Sequence, residues 1–222
     1  MLKKISLNFK LLLGFLIVAI ITGTVGFVGY IGLSDTSNEL KGVSEVVVPK
    51  LLHLEIIKIG QIEVRVVLRT LMNPYIDLDF IKKQFQELDK TRRFYGKSFK
   101  AYSKIKKSNE EENLWKDLQK EYSKSKKLNN VYFNEAKKLL DPKYKDQKEA
   151  IHRKLFNMNI GGEIGKAFAE CMSAVQALLN YAKEEDGKKK VKEAMKNATS
   201  AIMLVLIIAI TGFILALILG IT

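Results

Sequence analysis

Two arginines one helical turn apart are the clearest candidates for chemistry in this sequence. Arg65 and Arg69 lie in a stretch of helical periodicity, and neither has an acidic residue three or four positions away to pair with. Two adjacent guanidiniums repel each other, so the pair favours a partner from outside the helix, and arginine can hold a carboxylate bidentately. These residues predict a site for a carboxylate ligand; pairing with acids of a neighbouring helix, or simple exposure to water, is the alternative.

Arg153 and Asn157 are further candidates for the same ligand site. They fall near the start of the last helical segment before the carboxyl-terminal apolar run, which we expect to lie beside the face that carries the two arginines. Arg153 also has Glu149 one turn earlier as a possible pairing partner. An ordinary surface ion pair is therefore the alternative to a role in ligand binding.

The other reactive residue types do not form a recognisable site. His53 and His152 are the only histidines, and their separation gives no metal-ligand spacing, so no metal is expected. Cys171 lies beside an apolar stripe, where a buried, inert thiol is the usual case. A Gly-rich phosphate loop is not found, because Gly161, Gly162 and Gly165 lie inside a helical pattern, where they allow close helix approach or a bend. The sequence predicts no cofactor and no enzyme.

Two uncharged apolar runs place this chain in a membrane. The first extends over 11–32 and the second over 201–222, and each meets the requirement of about 20 apolar residues for a helix that crosses the hydrocarbon core. A cleaved signal peptide is the alternative for the first run, but that run exceeds the roughly 7–15 residues usual for such a segment. We expect two transmembrane helices, the first an uncleaved anchor.

Charge placement predicts the topology. Lys3, Lys4 and Lys10 make residues 1–10 a basic tail, which favours the cytoplasm, although lysines just before the second run argue for the opposite orientation. Long domains cross membranes largely regardless of charge, so residues 33–200 are expected to lie outside. That region holds 34 of the 37 Lys and Arg and all 24 Asp and Glu, a net charge of +10. Such a surface attracts anions, and an extracytoplasmic domain would rarely meet nucleic acid.

The region between the runs has the pattern of four long helices. Mostly apolar residues recur every seven positions from Leu33 to Leu68, where Gln61 is the exception, and again three positions after each of them, where Thr36 and Lys50 are the exceptions. Asn73-Pro74, Asp141-Pro142 and a capping box, Ser108 to Glu111, divide the region into four segments. Pro49 falls inside the first segment, where a helix must bend or begin afresh. The predicted fold is all-α, an up-down-up-down antiparallel four-helix bundle between two transmembrane helices.

The whole layout resembles the amino-terminal part of a methyl-accepting chemotaxis protein. The likeness rests on the basic tail, the apolar span, a first helix with Val46-Val47-Val48-Pro49-Lys50 and Gln61 to Arg69, and a last helix that continues into a second span. It implies a homodimeric receptor in a bacterial cell membrane that detects a small molecule or a periplasmic binding protein, with first-helix arginines binding acidic ligands across the dimer interface. It also implies a longer receptor, whose cytoplasmic signalling partners act through a carboxyl-terminal region that this chain lacks.

Other functions remain open at this point. The same sensor module occurs on histidine kinases and on cyclic-dinucleotide enzymes, so the output is undetermined. A protein of another class, a scaffold that binds anionic polymer through its basic surface, would show unselective binding that weakens as salt rises.

Overall fold

A computed structural model describes residues 7–221, which are helical almost throughout and contain no strand. The α-helices are α1 (Leu7–Gly42), α2 (Val48–Leu71), α3 (Leu78–Lys104), α4 (Asn109–Ala136), α5 (Lys148–Asn159), α6 (Glu163–Tyr181) and α7 (Lys189–Ile221). The described residues form two compact units: Val46–Glu184, and a unit formed by residues 7–45 together with residues 185–221. The predicted all-α class is confirmed.

The unit Val46–Glu184 is an antiparallel four-helix bundle. Helices α2, α3 and α4 are its first three members, and α5 with α6 together form the fourth. Side chains join neighbouring helices: Thr91 of α3 donates to Glu63 of α2 at 2.8 Å, and Lys124 of α4 pairs with Glu170 of α6 at 2.6 Å. The predicted up-down-up-down order is therefore present within this unit.

The heptad pattern of α2 marks its buried face. All eight pattern positions within α2 and the residue before it are buried: Val47, Lys50, Leu54, Ile57, Gln61, Val64, Leu68 and Leu71. Residues three and four apart share one side of a helix, so this seam faces the bundle interior. Two of its members are polar, and they sit where a coiled-coil seam would ordinarily carry aliphatic side chains.

Two groups of buried side chains fill the bundle, one toward each end. One surrounds the α2–α3 turn and includes Leu68, Leu71, Tyr132 and Phe133. The other surrounds the α3–α4 turn and is built on aromatic and aliphatic residues that include Tyr102 and Trp115. Burial of a large side chain contributes roughly 1.5–3 kcal/mol, so these two groups supply most of the stabilisation of the bundle.

The helix ends follow the local sequence signals. Helix α2 ends at Leu71, just before Asn73-Pro74, and the Asp141 side chain accepts a hydrogen bond from the Lys143 amide at 3.1 Å, ahead of a 3-10 segment that begins with Pro142. Pro49 lies in the first turn of α2, directly after the π-helical residues Val43–Val47. The residue before α2, Val47, has helical dihedrals, so the π-helical turn is the local change in hydrogen bonding that accompanies the missing amide of Pro49.

The last bundle helix is interrupted within the helical pattern in which Gly161, Gly162 and Gly165 lie. Helix α5 ends at Asn159 and α6 begins at Glu163. Gly161 has φ of +69°, a left-handed conformation that L side chains disfavour. At Gly162 a Cβ atom would approach the carbonyl oxygen of Asn157 to 2.9 Å and crowd that of Met158. Gly161 and Gly162 therefore form a bend, which is one of the two roles that the sequence predicted for these glycines.

The other unit consists of α1 and α7, which pack against each other in antiparallel order. Gly32 lies so close to Ala201 that a Cβ atom would overlap it, and Gly212 lies in the same way against Ile21. Small residues allow such close approach between helices in membranes. Two helices of the described chain are long and apolar enough to cross a membrane, and 0% and 6% of their most apolar stretches are buried. Neither has the burial of a core helix.

Candidate ligand site at the break in the fourth helix

Arg65 reaches across the bundle to the break between α5 and α6. Its Nη1 donates a hydrogen bond to the Oδ1 of Asn159, the last residue of α5. Its guanidinium also lies over the ring of Phe168 on α6, 5.3 Å from the ring centroid. Arg65 therefore links the first helix of the bundle to both halves of the fourth.

The residues around this contact are held in place by their own partners. Asn159 is 1% exposed, and its Nδ2 lies 3.2 Å from the sulfur of Met72 at the end of α2. Gly165 leaves space for the arginine, since a Cβ atom there would be 3.5 Å from Arg65 Nη2 and 3.2 Å from the Asn159 carbonyl. A larger residue at position 165 would therefore crowd the Arg65–Asn159 contact.

The charge of Arg65 is destabilised by its surroundings. Burial lowers the pKa of Arg65, the nearby charge of Arg69 lowers it further, and Tyr132 opposes both effects. Its Nε is buried without a hydrogen-bond partner among the described residues. An arginine stays protonated at any physiological pH, so burial of the Arg65 charge beside Arg69 destabilises the folded state. A bound anion would offset this destabilisation.

Arg69 lies one turn further along α2 and is exposed. Among residues 7–221 it makes no hydrogen bond or ion pair, and its charge destabilises that of Arg65. The two guanidiniums together offer several donors to one anion. This is the arrangement that the spacing of four residues predicts.

Arg153 and Asn157 lie in a separate place. Both line an open cavity of about 650 Å³ on α5, together with Asp146, Glu149 and Lys154, and none of its lining residues comes from α2. Arg153 is exposed and pairs with Glu149 at 3.2 Å. The structure thus groups Arg65 with Asn159 and Phe168, and Arg153 with Asn157. The first grouping could not be anticipated, because the bend at Gly161 determines where Asn159 points.

A buried ion pair lies at the other end of the bundle. Lys50 Nζ of α2 is 2.6 Å from Glu111 Oε2 of α4, with side-chain exposures of 4% and 0%. Tyr102 of α3 donates its hydroxyl to the other carboxylate oxygen of Glu111 at 2.6 Å. Three helices are thereby joined through one carboxylate.

This ion pair corrects half of the predicted capping box. Ser108 does cap α4, because its hydroxyl accepts a hydrogen bond from the Glu111 amide at 3.1 Å. The motif also predicts that the Glu111 carboxylate accepts a hydrogen bond from the amide of Ser108, and this bond is not formed. It turns inward to Lys50 and Tyr102 instead, since a buried ammonium is a stronger partner than an exposed amide.

The remaining titratable candidates are buried. Burial raises the pKa of the Cys171 thiol to about 12, which keeps it protonated and unreactive. His152 is buried beside the end of α2, and desolvation lowers its pKa, opposed by hydrogen bonding to the backbone of Leu71 and Met72. Within residues 7–221 no group of three or more His, Cys, Asp or Glu is placed to hold a metal ion.

The fold defines a class of protein. A four-helix bundle and two apolar helices of membrane-spanning length are the parts of a membrane-anchored sensory module. Over residues 4–198 the chain matches the family described as a four helix bundle sensory module for signal transduction.

The chain belongs to this family of sensory modules, which confirms the resemblance to the sensor part of a methyl-accepting chemotaxis protein. The family is a signalling module and not a catalytic domain. Among curated proteins and among solved structures, none matches the chain significantly.

Proposed function

We propose that this chain is the sensory region of a transmembrane chemoreceptor in a bacterial cell membrane. Residues 1–10 lie in the cytoplasm, residues 11–32 and 201–222 cross the membrane, and residues 33–200 lie on the extracytoplasmic side. The family, the two unburied apolar helices and the basic tail support this topology. The stimulus reaches the cytoplasm through the second transmembrane helix.

The receptor works as a parallel homodimer through α2. A second apolar stripe lies on the side of α2 opposite to its buried seam, and its members are 42–56% exposed: Val48, Leu52, Ile59, Ile62 and Val66. They recur at spacings of four, seven, three and four, the pattern of a coiled-coil seam. A second copy of α2 is the occupant that such a self-complementary stripe fits, because a two-fold dimer pairs a surface with itself.

Disulfide trapping tests the dimer. In the full chain in native membranes, Ile62→Cys is expected to form a covalent dimer on mild oxidation, because two copies of the stripe bring these positions together. The matched control is Lys116→Cys, an exposed site on α4 away from the stripe. The native Cys171 is buried and stays unreacted. Equal cross-linking at both positions, or none at Ile62→Cys, would contradict the α2 interface.

The ligand is a small organic anion that Arg65 and Arg69 hold together. Arg69 is three residues beyond Val66 and Arg65 is three beyond Ile62, so both lie along the edge of the dimer stripe. The observation that carries the proposal is the half-buried guanidinium of Arg65, whose Nε has no hydrogen-bond partner among the described residues. A carboxylate would satisfy it and separate the charges of the two arginines.

Ligand binding can change the packing of the bundle because Arg65 already has a neutral hydrogen-bond partner, Asn159. A carboxylate that takes the Arg65 guanidinium competes with Asn159, whose contact holds α2 to the break in the fourth helix. Two packings of this end of the bundle result, with Arg65 on Asn159 or on the ligand. A ligand that prefers the second packing shifts the population toward it. Arg153 and Asn157 contribute where α5 moves toward α2.

Calorimetric titration of the full chain in zwitterionic nanodiscs tests the site. From a panel of dicarboxylates and amino acids, we expect selective binding that weakens at least about tenfold in Arg65→Ala and in Arg69→Ala, the effect of one lost charge-assisted hydrogen bond. Lys116→Ala, which removes an exposed cation from α4, is the control and should bind normally. Arg153→Ala shows whether α5 takes part.

Two results would count against this site. Binding that survives both α2 substitutions would place the ligand elsewhere on the bundle. No binding across the panel, with cross-linking at Ile62→Cys intact, would leave the dimeric receptor in place and favour detection through a periplasmic binding protein.

A further inference from the structure

We propose that a groove between α3 and α4 is a second binding site, for an organic anion that carries a planar apolar body. The groove is open to solvent and has a volume of about 780 Å³, within the range of small-molecule sites. Six cations line it, and no acidic residue does: Lys90, Arg92, Arg93, Lys97, Lys100 and Lys126. We call it the α3–α4 groove. It is independent of the Arg65 site, which involves α2, α5 and α6.

Three of the cations have no partner of their own. Lys90 pairs with Glu87 at 2.8 Å and Arg92 donates to Asn130 at 2.9 Å. By contrast, the side chains of Arg93, Lys97 and Lys100 make no hydrogen bond or ion pair to any described residue. They follow one another at spacings of four and three, so they share one face of α3 and repel each other. An anion bound among them would remove that repulsion.

Aromatic rings distinguish the groove from a merely solvated lysine face. Phe99 lies 4.7 Å from the Tyr122 ring and 4.6 Å from the Trp115 ring, measured between centroids. Tyr95 meets Tyr122 edge to face at 6.1 Å. Phe94, which also lines the groove, is 57% exposed in an otherwise charged stretch. Tyr95 is 3% exposed, so the ring that is open to a planar group is that of Phe94, beside this aromatic cluster.

Gly96 adds an observation that packing does not explain. It lies in the middle of α3, where glycine is the least favourable residue after proline, and it lines the groove. A Cβ atom built on it meets nothing within 4 Å. Gly60 is the opposite case, because a Cβ atom there would run into the Tyr95 ring. The open space above Gly96 belongs to the groove, and it lets a flat ligand approach the backbone.

These features select the ligand class. Arg93, Lys97 and Lys100 would take a carboxylate, sulfonate or phosphate, and Phe94 and Phe99 would take the planar body. An anionic polymer would use the charges alone and would not need the rings or the space at Gly96. Substitution of Gly96 should therefore affect binding of a planar organic anion but not binding of an anionic polymer.

The probe is 2-naphthoate, titrated by calorimetry into the full chain in zwitterionic nanodiscs. We expect saturable binding, with acetate and the neutral 2-naphthalenemethanol each at least about tenfold weaker, because one lacks the ring and the other the charge. Arg93→Ala and Lys97→Ala should each weaken naphthoate binding about tenfold. The Arg65→Ala, Arg69→Ala double variant should bind naphthoate normally, which separates this site from the proposed receptor site.

Gly96→Ala is the decisive variant. It is expected to raise the melting temperature by roughly 2–4 °C, because alanine favours the helix. It is also expected to lower naphthoate affinity at least about tenfold, because the methyl group takes the space through which the flat ligand would approach the backbone. Loss of binding in a stabilised protein cannot come from misfolding. Unchanged naphthoate affinity in Gly96→Ala would overturn the proposal, as would polyglutamate binding more tightly than naphthoate to both proteins, or loss of naphthoate binding in the Arg65, Arg69 double variant.

Discussion

Glu111→Ala is expected to lower the free energy of unfolding of the bundle by about 3–5 kcal/mol. The substitution leaves the Lys50 ammonium buried at 4% exposure without the carboxylate that lies 2.6 Å away. It also removes the acceptor of the Tyr102 hydroxyl, so two buried polar groups lose a partner together. Urea unfolding of the full chain in detergent micelles, followed by the fluorescence of the single Trp115, measures the change.

A neighbouring glutamate is the matched control for this prediction. Glu110→Ala removes the same side chain one position earlier in the first turn of α4, where it is exposed. This substitution should lower the free energy of unfolding by no more than about 1 kcal/mol, which is the size of a charge effect at a helix terminus. Replacing the pair together, Lys50→Met with Glu111→Leu, should recover most of the loss, because it leaves no buried charge. Similar losses for Glu110→Ala and Glu111→Ala would show that the pair is not the buried link between helices.

Gly60→Ala is expected to lower the free energy of unfolding by about 3 kcal/mol, the upper end for overpacking a core. A Cβ atom at position 60 would lie 2.6 Å from the Cβ and 2.7 Å from the Cγ of Tyr95, and that Cβ can move only with the backbone of α3. Helix propensity alone predicts the opposite sign, a gain of about 1 kcal/mol. The sign of the measured change therefore decides between packing and propensity.

Gly96→Ala serves as the control, since it makes the same chemical change in the neighbouring helix without a clash and should stabilise. A double variant, Gly60→Ala with Tyr95→Leu, should be less destabilised than the sum of its single changes, because the smaller residue makes room for the methyl group. Stabilisation by Gly60→Ala would contradict the close packing of α2 against α3.

Periodicity and local signals were enough to predict the helices and the buried face of α2. The seven-residue repeat placed Val47, Leu54 and Leu68 in the core, and the structure buries all of them. Pro74 and Ser108 marked a helix end and a helix start, because each acts on backbone groups within a few residues. Pro142 instead begins a 3-10 segment, and α4 already ends at Ala136. Two membrane-length apolar helices also follow from composition alone, since a span depends on length and hydropathy.

The candidate site was only partly predictable. The spacing of Arg65 and Arg69 indicated a pair of cations without a local acid, and that property persists in the fold. Asn159 and Phe168 did not emerge as partners, because they are about a hundred residues away along the chain. Arg153 and Asn157, expected beside the arginines, line a different cavity.

This sequence by itself determined where helices form, which side of α2 is buried and where the chain can cross a membrane, because those properties depend on residues close together in the chain. Tertiary structure alone decided that Glu111 turns inward to Lys50, that Gly161 and Gly162 break the fourth helix, and that Arg65 meets Asn159. The physical reason is that the contacts of Glu111 and Arg65 form between residues far apart in the chain, which become buried together only when the helices pack. A carboxylate takes a buried ammonium in preference to an exposed amide only once another helix has brought the ammonium to it.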